Sequence, residues 1–165
     1  MIAWIKKLLG HDVPPWVQFV KYAVCGGLAT ALSIVVFFLL GWKLLPCLTP
    51  SDPIVRLFHL ELPFEVSEQS RWINAAVCNT IGFVISNLFC YALNRLFVFR
   101  SGRHVWYKEL ALFFLGSGLA FVLGTGMQTV LIRTFGIETT WAFGTNVVVA
   151  VLINYAMRKW VVFKG

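Results

Sequence analysis

The sequence predicts an all-α integral membrane protein with four transmembrane helices. Hydrophobic residues make up 59% of the 165-residue chain and charged residues only 13%, with a mean hydropathy of +0.78. An ordinary soluble domain carries about a quarter charged residues. Four long runs contain no Asp, Glu, Lys, Arg or His: Tyr22–Leu40, Trp72–Asn94, Leu110–Ile132 and Thr139–Met157. Each approaches the roughly 20 apolar residues that cross a bilayer as a helix. The net charge of +7 collects at the ends of these runs, which suits lipid headgroups rather than a polyanion groove, so no nucleic-acid partner is expected.

The elements follow in order within a single domain, residues 1–165. The opening "MIAWIKKLLGHDVPPW" reads as a short amphipathic helix on the membrane surface, with Ile2, Ile5, Leu8 and Leu9 on one face. Lys6 and Lys7 interrupt any signal-peptide core, and Pro14 and Pro15 turn the chain into the first span. The spans are expected near residues 19–41, 72–95, 110–132 and 139–160. Between the first two lies a long connection with Pro46, Pro50, Pro53 and Pro63. Its middle, "IVRLFHLEL", suggests a short interfacial helix, with His59 a solvated residue. The last two spans are joined by little more than "RTFGIE".

Charge sets the orientation. The N-terminal segment, the Arg95–Glu109 connection and the C-terminus hold ten Lys and Arg, and the other two connections hold four. Lys and Arg are retained on the cytoplasmic side, so both termini are expected there. The cysteines show no metal spacing: Cys25, Cys78 and Cys90 fall in apolar runs and read as small buried hydrophobes, and Cys47 lies in a loop.

The chain also repeats itself. "CYALNRLFVFRSG" at 90–102 is echoed by "NYAMRKWVVFKG" at 154–165, aligning Tyr91 with Tyr155, Arg95 with Lys159 and Phe99 with Phe163. "GGLA" at 26–29 resembles "SGLA" at 117–120. Two helical hairpins that each cross the membrane twice start on the same side, so the repeat is a parallel one. Ala23, Gly27 and Ala31, and likewise Gly116, Ala120 and Gly124, are spaced four apart. Such stripes are expected to pack helix against helix.

Polar residues inside the spans are neutral. Asn79, Ser86, Asn87 and Asn94 fall within one ~100° arc of a helix. The fourth span carries Asn146 and Asn154, with Arg158 one turn beyond, and the third carries Thr125, Gln128 and Thr129. The lack of an intramembrane carboxylate weighs against a proton-coupled multidrug exporter. Asparagines can simply bond neighbouring helices for ~1 kcal/mol, and terminal cations can simply snorkel to headgroups. Together, though, they suit an amphiphile. Asn79, Asn87, Asn94, Thr30, Gln128, Asn146 and Asn154 are candidate contacts for sugar hydroxyls. Arg95, Arg158 and Lys159, with Lys21, are candidate phosphate contacts on the cytoplasmic side. The spans hold no nucleophile–base pair, so neither an enzyme activity nor a metal or cofactor is expected.

These residues resemble those of the GtrA-like family of small four-helix bacterial membrane proteins. The first-span pattern is similar through Lys21, Tyr22, Gly26, Gly27 and Thr30, with Ala29 where the family often has Asn. Asn79, Gly82, Asn94, Phe97 and Phe99 match the second span, and Asn154, Tyr155, Arg158, Trp160 and Phe163 the fourth. The third span matches in general character, and the long first outer loop departs from compact members. The resemblance implies a flippase in the bacterial cytoplasmic (inner) membrane that translocates a polyprenyl (undecaprenyl)-phosphate-linked monosaccharide for surface polysaccharide or lipid glycosylation. A cytoplasmic glycosyltransferase would load the lipid and an outward-facing one would use it. The alternative is a non-transporting subunit that anchors or orients a partner glycosyltransferase. Membrane lipids surround either, and dimers or larger homo-oligomers are expected because four short helices enclose little volume.

Overall fold

The computed structural model describes residues 13–63, 65–98 and 106–157. The expected N-terminal surface helix, with its face of Ile2, Ile5, Leu8 and Leu9, lies outside them. The described chain is all-helical: α1 Pro15–Lys43, α2 Pro53–Phe58, α3 Glu68–Phe97, α4 Trp106–Phe135 and α5 Thr139–Met157. Helices α1, α3 and α4 are each long and apolar enough to cross a membrane, and α5 is a shorter apolar helix.

The helices outrun the charge-free stretches that predict them. Pro15 opens α1, where its missing N–H costs nothing. Helix α3 begins at Glu68 rather than Trp72, because the Ser67 hydroxyl accepts the Ser70 N–H at 3.3 Å and Glu68 sits in the positive first turn. A short helix does form in the first connection, α2, which stops at His59 in the left-handed region, φ 48°.

Helix α1 packs chiefly on α3 and α4 on α5, so each hairpin closes on itself; α3 against α4 joins the two. The seam carries the stacked rings of Phe83 and Phe121, centroids 4.3 Å apart. Where α1 approaches α3 most closely, a Cβ at Gly82 would lie 3.4 Å from the Ser33 carbonyl oxygen. Where α4 meets α5, a Cβ at Gly124 would lie 2.0 Å from Asn146 Oδ1. The expected small-residue stripes are only partly packing faces. Ala120 is buried and Gly124 is in contact, but Ala23, Gly27 and Ala31 are exposed, and a Cβ at Gly27 or Gly116 would meet nothing within 4 Å.

Antiparallel hairpins give the molecule two ends. The terminal end holds the starts of α1 and α4 and the close of α3; the loop end holds the 44–67 connection and the 136–138 turn. The buried core sits towards the loop end, in Phe37, Cys47, Ala75, Cys78, Ile132, Ala142 and Phe143. Phe37 stacks on Phe143 at 3.9 Å between centroids, with Phe38 edge-on to both. Cys47 and Cys78 are neighbouring free thiols. The Cys78 thiol and then burial push the Cys47 thiol well above its ordinary range, so it stays protonated.

Charges that read as loop charges in the sequence are buried at this end. Asp52 is fully buried: Oδ2 accepts from Thr49 N at 2.7 Å and from Thr49 Oγ1 at 3.1 Å, and Oδ1 from Thr140 N at 2.7 Å. It therefore caps the N-terminus of α5 from the opposite hairpin, a favourable place for a carboxylate. Arg71, 2% exposed, donates twice to Glu68 Oε2 and, through NH1, to the Ile137 carbonyl at 3.2 Å. The Thr139 hydroxyl donates to the Cys47 carbonyl.

Candidate functional site

The middle and terminal half of the bundle enclose a cavity of about 990 Å³. It runs from Phe19 and Tyr22 near the start of α1 to Phe143, where the aromatic stack ends it. Helices α1 and α5 form its sides, and α3 and α4 its back. The α1 wall is built of Ala23, Gly26, Gly27, Thr30, Ala31 and Ser33, so what the sequence offers as a packing stripe lines open space. Ala23, Gly27, Ala31 and Ile34 on α1 and Val151 on α5 both line the cavity and are exposed, so it opens sideways between these helices.

Four of the seven predicted polar contacts, Thr30, Asn79, Asn87 and Asn146, lie on the wall, together with Ser86 and Ser117. Asn79, Ser86 and Asn87 reach it because spacings of seven and eight return to one helix face. Each asparagine is also bonded into the bundle. Asn79 Nδ2 donates to Thr125 Oγ1, and Asn146 Nδ2 to Gln128 Oε1 at 3.0 Å. The Ser117 hydroxyl lies 3.1 Å from Asn87 Oδ1 and 3.0 Å from the Phe113 carbonyl. The Thr30 hydroxyl donates to its own helix, to the Gly26 carbonyl at 3.0 Å. Asn87 Nδ2 and Gln128 Nε2 are buried without a partner among the described residues.

Three predicted contacts stand elsewhere. Gln128 lies behind Asn146, 1% exposed and off the wall. Asn94 turns back on its own helix, donating to the Cys90 carbonyl at 2.8 Å. Asn154 falls on α5, with its side chain outside the described residues, as are Arg158 and Lys159 entirely. Among the described cations, Lys21 Nζ donates to the Phe97 carbonyl at 3.1 Å, beside Gln18 Nε2 to the Val98 carbonyl at 3.1 Å. Both side chains satisfy orphan carbonyls at the close of α3, where a cation also meets the negative end of the helix dipole. Arg95 is exposed and donates to the Tyr91 hydroxyl at 3.2 Å, which in turn donates to the Trp106 carbonyl at 3.2 Å. Lys21 and Arg95 thus share the terminal end without lining the cavity.

Sequence reasoning passed over Ser117, Phe37, Phe143, Asp52 and Arg71 as site-forming residues. Only Asp52 carries a local signal, the "TPSDP" run whose threonine and aspartate close a turn on themselves.

Long apolar helices, paired as hairpins around a laterally open cavity with a few amides and hydroxyls on a mostly apolar wall, define a multi-pass membrane protein. Residues 21–163 match the family described as GtrA/DPMS, transmembrane domain, and the chain belongs to that family. It is similar to the cell wall teichoic acid glycosylation protein GtcA of Listeria innocua, 28% identical over 169 residues, spanning 97% of this chain and 96% of that protein. A Listeria monocytogenes GtcA is 29% identical over 147 residues, spanning 87% and 82% respectively. The uncharacterized membrane protein YwcD of Bacillus subtilis is 35% identical over 85 residues, half of this chain and 67% of that one. No solved structure matches.

Proposed function

We propose that this protein is a flippase that carries a polyprenyl-phosphate-linked monosaccharide across the cytoplasmic membrane, for glycosylation of a cell-surface polymer. The observation that carries the reading is the laterally open cavity with Asn79, Asn87, Asn146, Thr30 and Ser117 on its wall. A hydroxyl taken from water into hydrocarbon without a partner costs about 4–8 kcal/mol. A sugar therefore crosses only where side chains replace its water, and neutral amides do so in either direction without trapping a charge. The Asn87 amide nitrogen, without a partner among the described residues, is a donor such a headgroup would satisfy. The opening between α1 and α5 lets the tail remain in lipid while the headgroup moves.

The terminal end is assigned to the cytoplasm by its excess of Lys and Arg, with α5 as the fourth span. There Lys21 and Arg95, with Arg158 and Lys159, receive the phosphate. Two close relatives in length named for cell wall teichoic acid glycosylation support a surface-polymer role.

Reconstitution tests the reading. Vesicles holding folded protein and a polyprenyl-phosphate-linked sugar are expected to expose the sugar on the opposite leaflet faster than protein-free vesicles. Equal rates would leave the protein as a membrane subunit of a glycosyltransferase.

A further inference from the structure

We infer that the loop end is a gate, closed in this structure, made of the Phe37–Phe143 stack and the bonds that Asp52 and Arg71 throw between the two hairpins. This deepens the transport reading and rests on it.

The cavity stops at Phe143, and Phe37 against Phe143 is where α1 and α5 meet, in a ring stack with Phe37 fully buried. Beyond the stack, the hairpins are joined by Asp52 Oδ1 to Thr140 N, by Arg71 NH1 to the Ile137 carbonyl and by Thr139 to the Cys47 carbonyl. These are side-chain bonds at the end of the bundle, and Glu68, the partner of Arg71, is 72% exposed. Water can replace each of them as the helices part, so opening here does not strand a polar group in hydrocarbon.

The parts are also mounted to move together. The 44–52 loop is fastened to its own hairpin by Asn74 Nδ2 to the Pro46 carbonyl at 2.8 Å, and by Cys78 to the Leu45 carbonyl. Asp52, Cys47 and Phe37 thus travel with α1 and α3, while Phe143, Thr139 and Thr140 travel with α4 and α5. The α3–α4 seam, with its Phe83–Phe121 stack, is the axis left for rocking. Rocking that parts α1 from α5 at the loop end brings them together over the cavity, giving each side access in turn.

Native thiols report both sides: Cys47 is fully buried in the seal and Cys90 lines the cavity. Two full-length variants each keep one of them, with Cys78 replaced by serine, which keeps a donor for the Leu45 carbonyl, and the remaining cysteines by alanine, and are reconstituted and labelled with a membrane-impermeant maleimide. Introducing Asp52→Asn or Phe143→Ala is expected to raise Cys47 labelling from the loop side by about tenfold, as an open fraction rising from ~1% to ~10% would. Cys90 labelling from the terminal side is expected to fall in the same proteins. A static plug that is merely loosened exposes both thiols, so a joint rise overturns the gate, as does Cys47 labelling that stays flat or rises without the fall at Cys90. Undecaprenyl-phosphate-glucose is then added to the Cys90 protein with an intact seal. Protection of Cys90 speaks to cavity binding alone, so its failure would count against the transport reading and leave the gate result readable.

Discussion

The two ends of the bundle solve opposite problems with the same helices. At the loop end, buried charges are spent on closure: Asp52 and Arg71 each bridge the hairpins, and aromatic rings fill the space below them. In the terminal half, neutral amides and small residues leave about 990 Å³ unfilled. The contrast teaches where stability and function separate. On the proposed reading, substitutions at the loop end act on folding and closure, whereas those on the cavity wall act on cargo.

Asp52→Ala tests this most severely. It strips the acceptor from two backbone N–H groups, Thr49 and Thr140, in a fully buried site. At about 1–3 kcal/mol for each stranded donor, the loss is expected near 3 kcal/mol. Thermal unfolding in detergent reads it, with Glu65→Ala as the exposed control. If the two variants unfold alike, closure does not depend on this carboxylate.

Gly124→Ala lies on the boundary between the regions. The new methyl would sit 2.0 Å from Asn146 Oδ1 and push that amide off Gln128. Overpacking of this kind costs about 1–3 kcal/mol, and transport is expected to fall with it because Asn146 leaves the wall. Gly116→Ala, whose methyl meets nothing among the described residues, is the matched change that should not lower unfolding stability.

Asn87→Leu should split the two properties. Its amide nitrogen has no partner among the described residues, and the Ser117 hydroxyl that its oxygen accepts from keeps the Phe113 carbonyl, so removing the amide changes stability by less than about 1 kcal/mol. Transport in reconstituted vesicles is expected to drop by roughly tenfold, the effect of about 1.4 kcal/mol on the crossing barrier. A variant that transports normally would assign the asparagine to helix packing alone.

The fold was largely legible because lipid is a demanding solvent. Four charge-free runs had to be helices, since backbone groups find no other partners in hydrocarbon. The boundaries were short by a turn or so, as at Glu68 and Phe135, because helices continue into the headgroup region where charge is welcome. The cavity wall was legible by halves. The period of Asn79 and Asn87 placed them on one face, and the cavity lies there. The stripe Ala23, Gly27 and Ala31 misled, because a small residue permits either a close neighbour or an opening, and spacing does not say which. Asp52 and Arg71 were illegible as buried groups. A charge in a loop is solvated by default, and only the docking of that loop on the far hairpin buries these two.

The smallest effect concerns Lys21, which has two roles open to it. Its ammonium bonds the Phe97 carbonyl, as a cap on α3 would. A cation at a helix C-terminus contributes about 0.3–1 kcal/mol, and an ammonium with three donors can bond a carbonyl and a phosphate oxygen together. Lys21→Gln separates the roles by keeping a donor and removing the charge. Unfolding is expected to shift by less than about 1 kcal/mol, while affinity for undecaprenyl phosphate weakens roughly fivefold. Arg95→Ala should weaken it by a similar factor, and Lys108→Ala, an exposed cation on α4, by less. If Lys21→Gln binds as tightly as the parent protein, Lys21 belongs with the structural caps, and the proposed phosphate capture rests on Arg95 and the C-terminal cations alone.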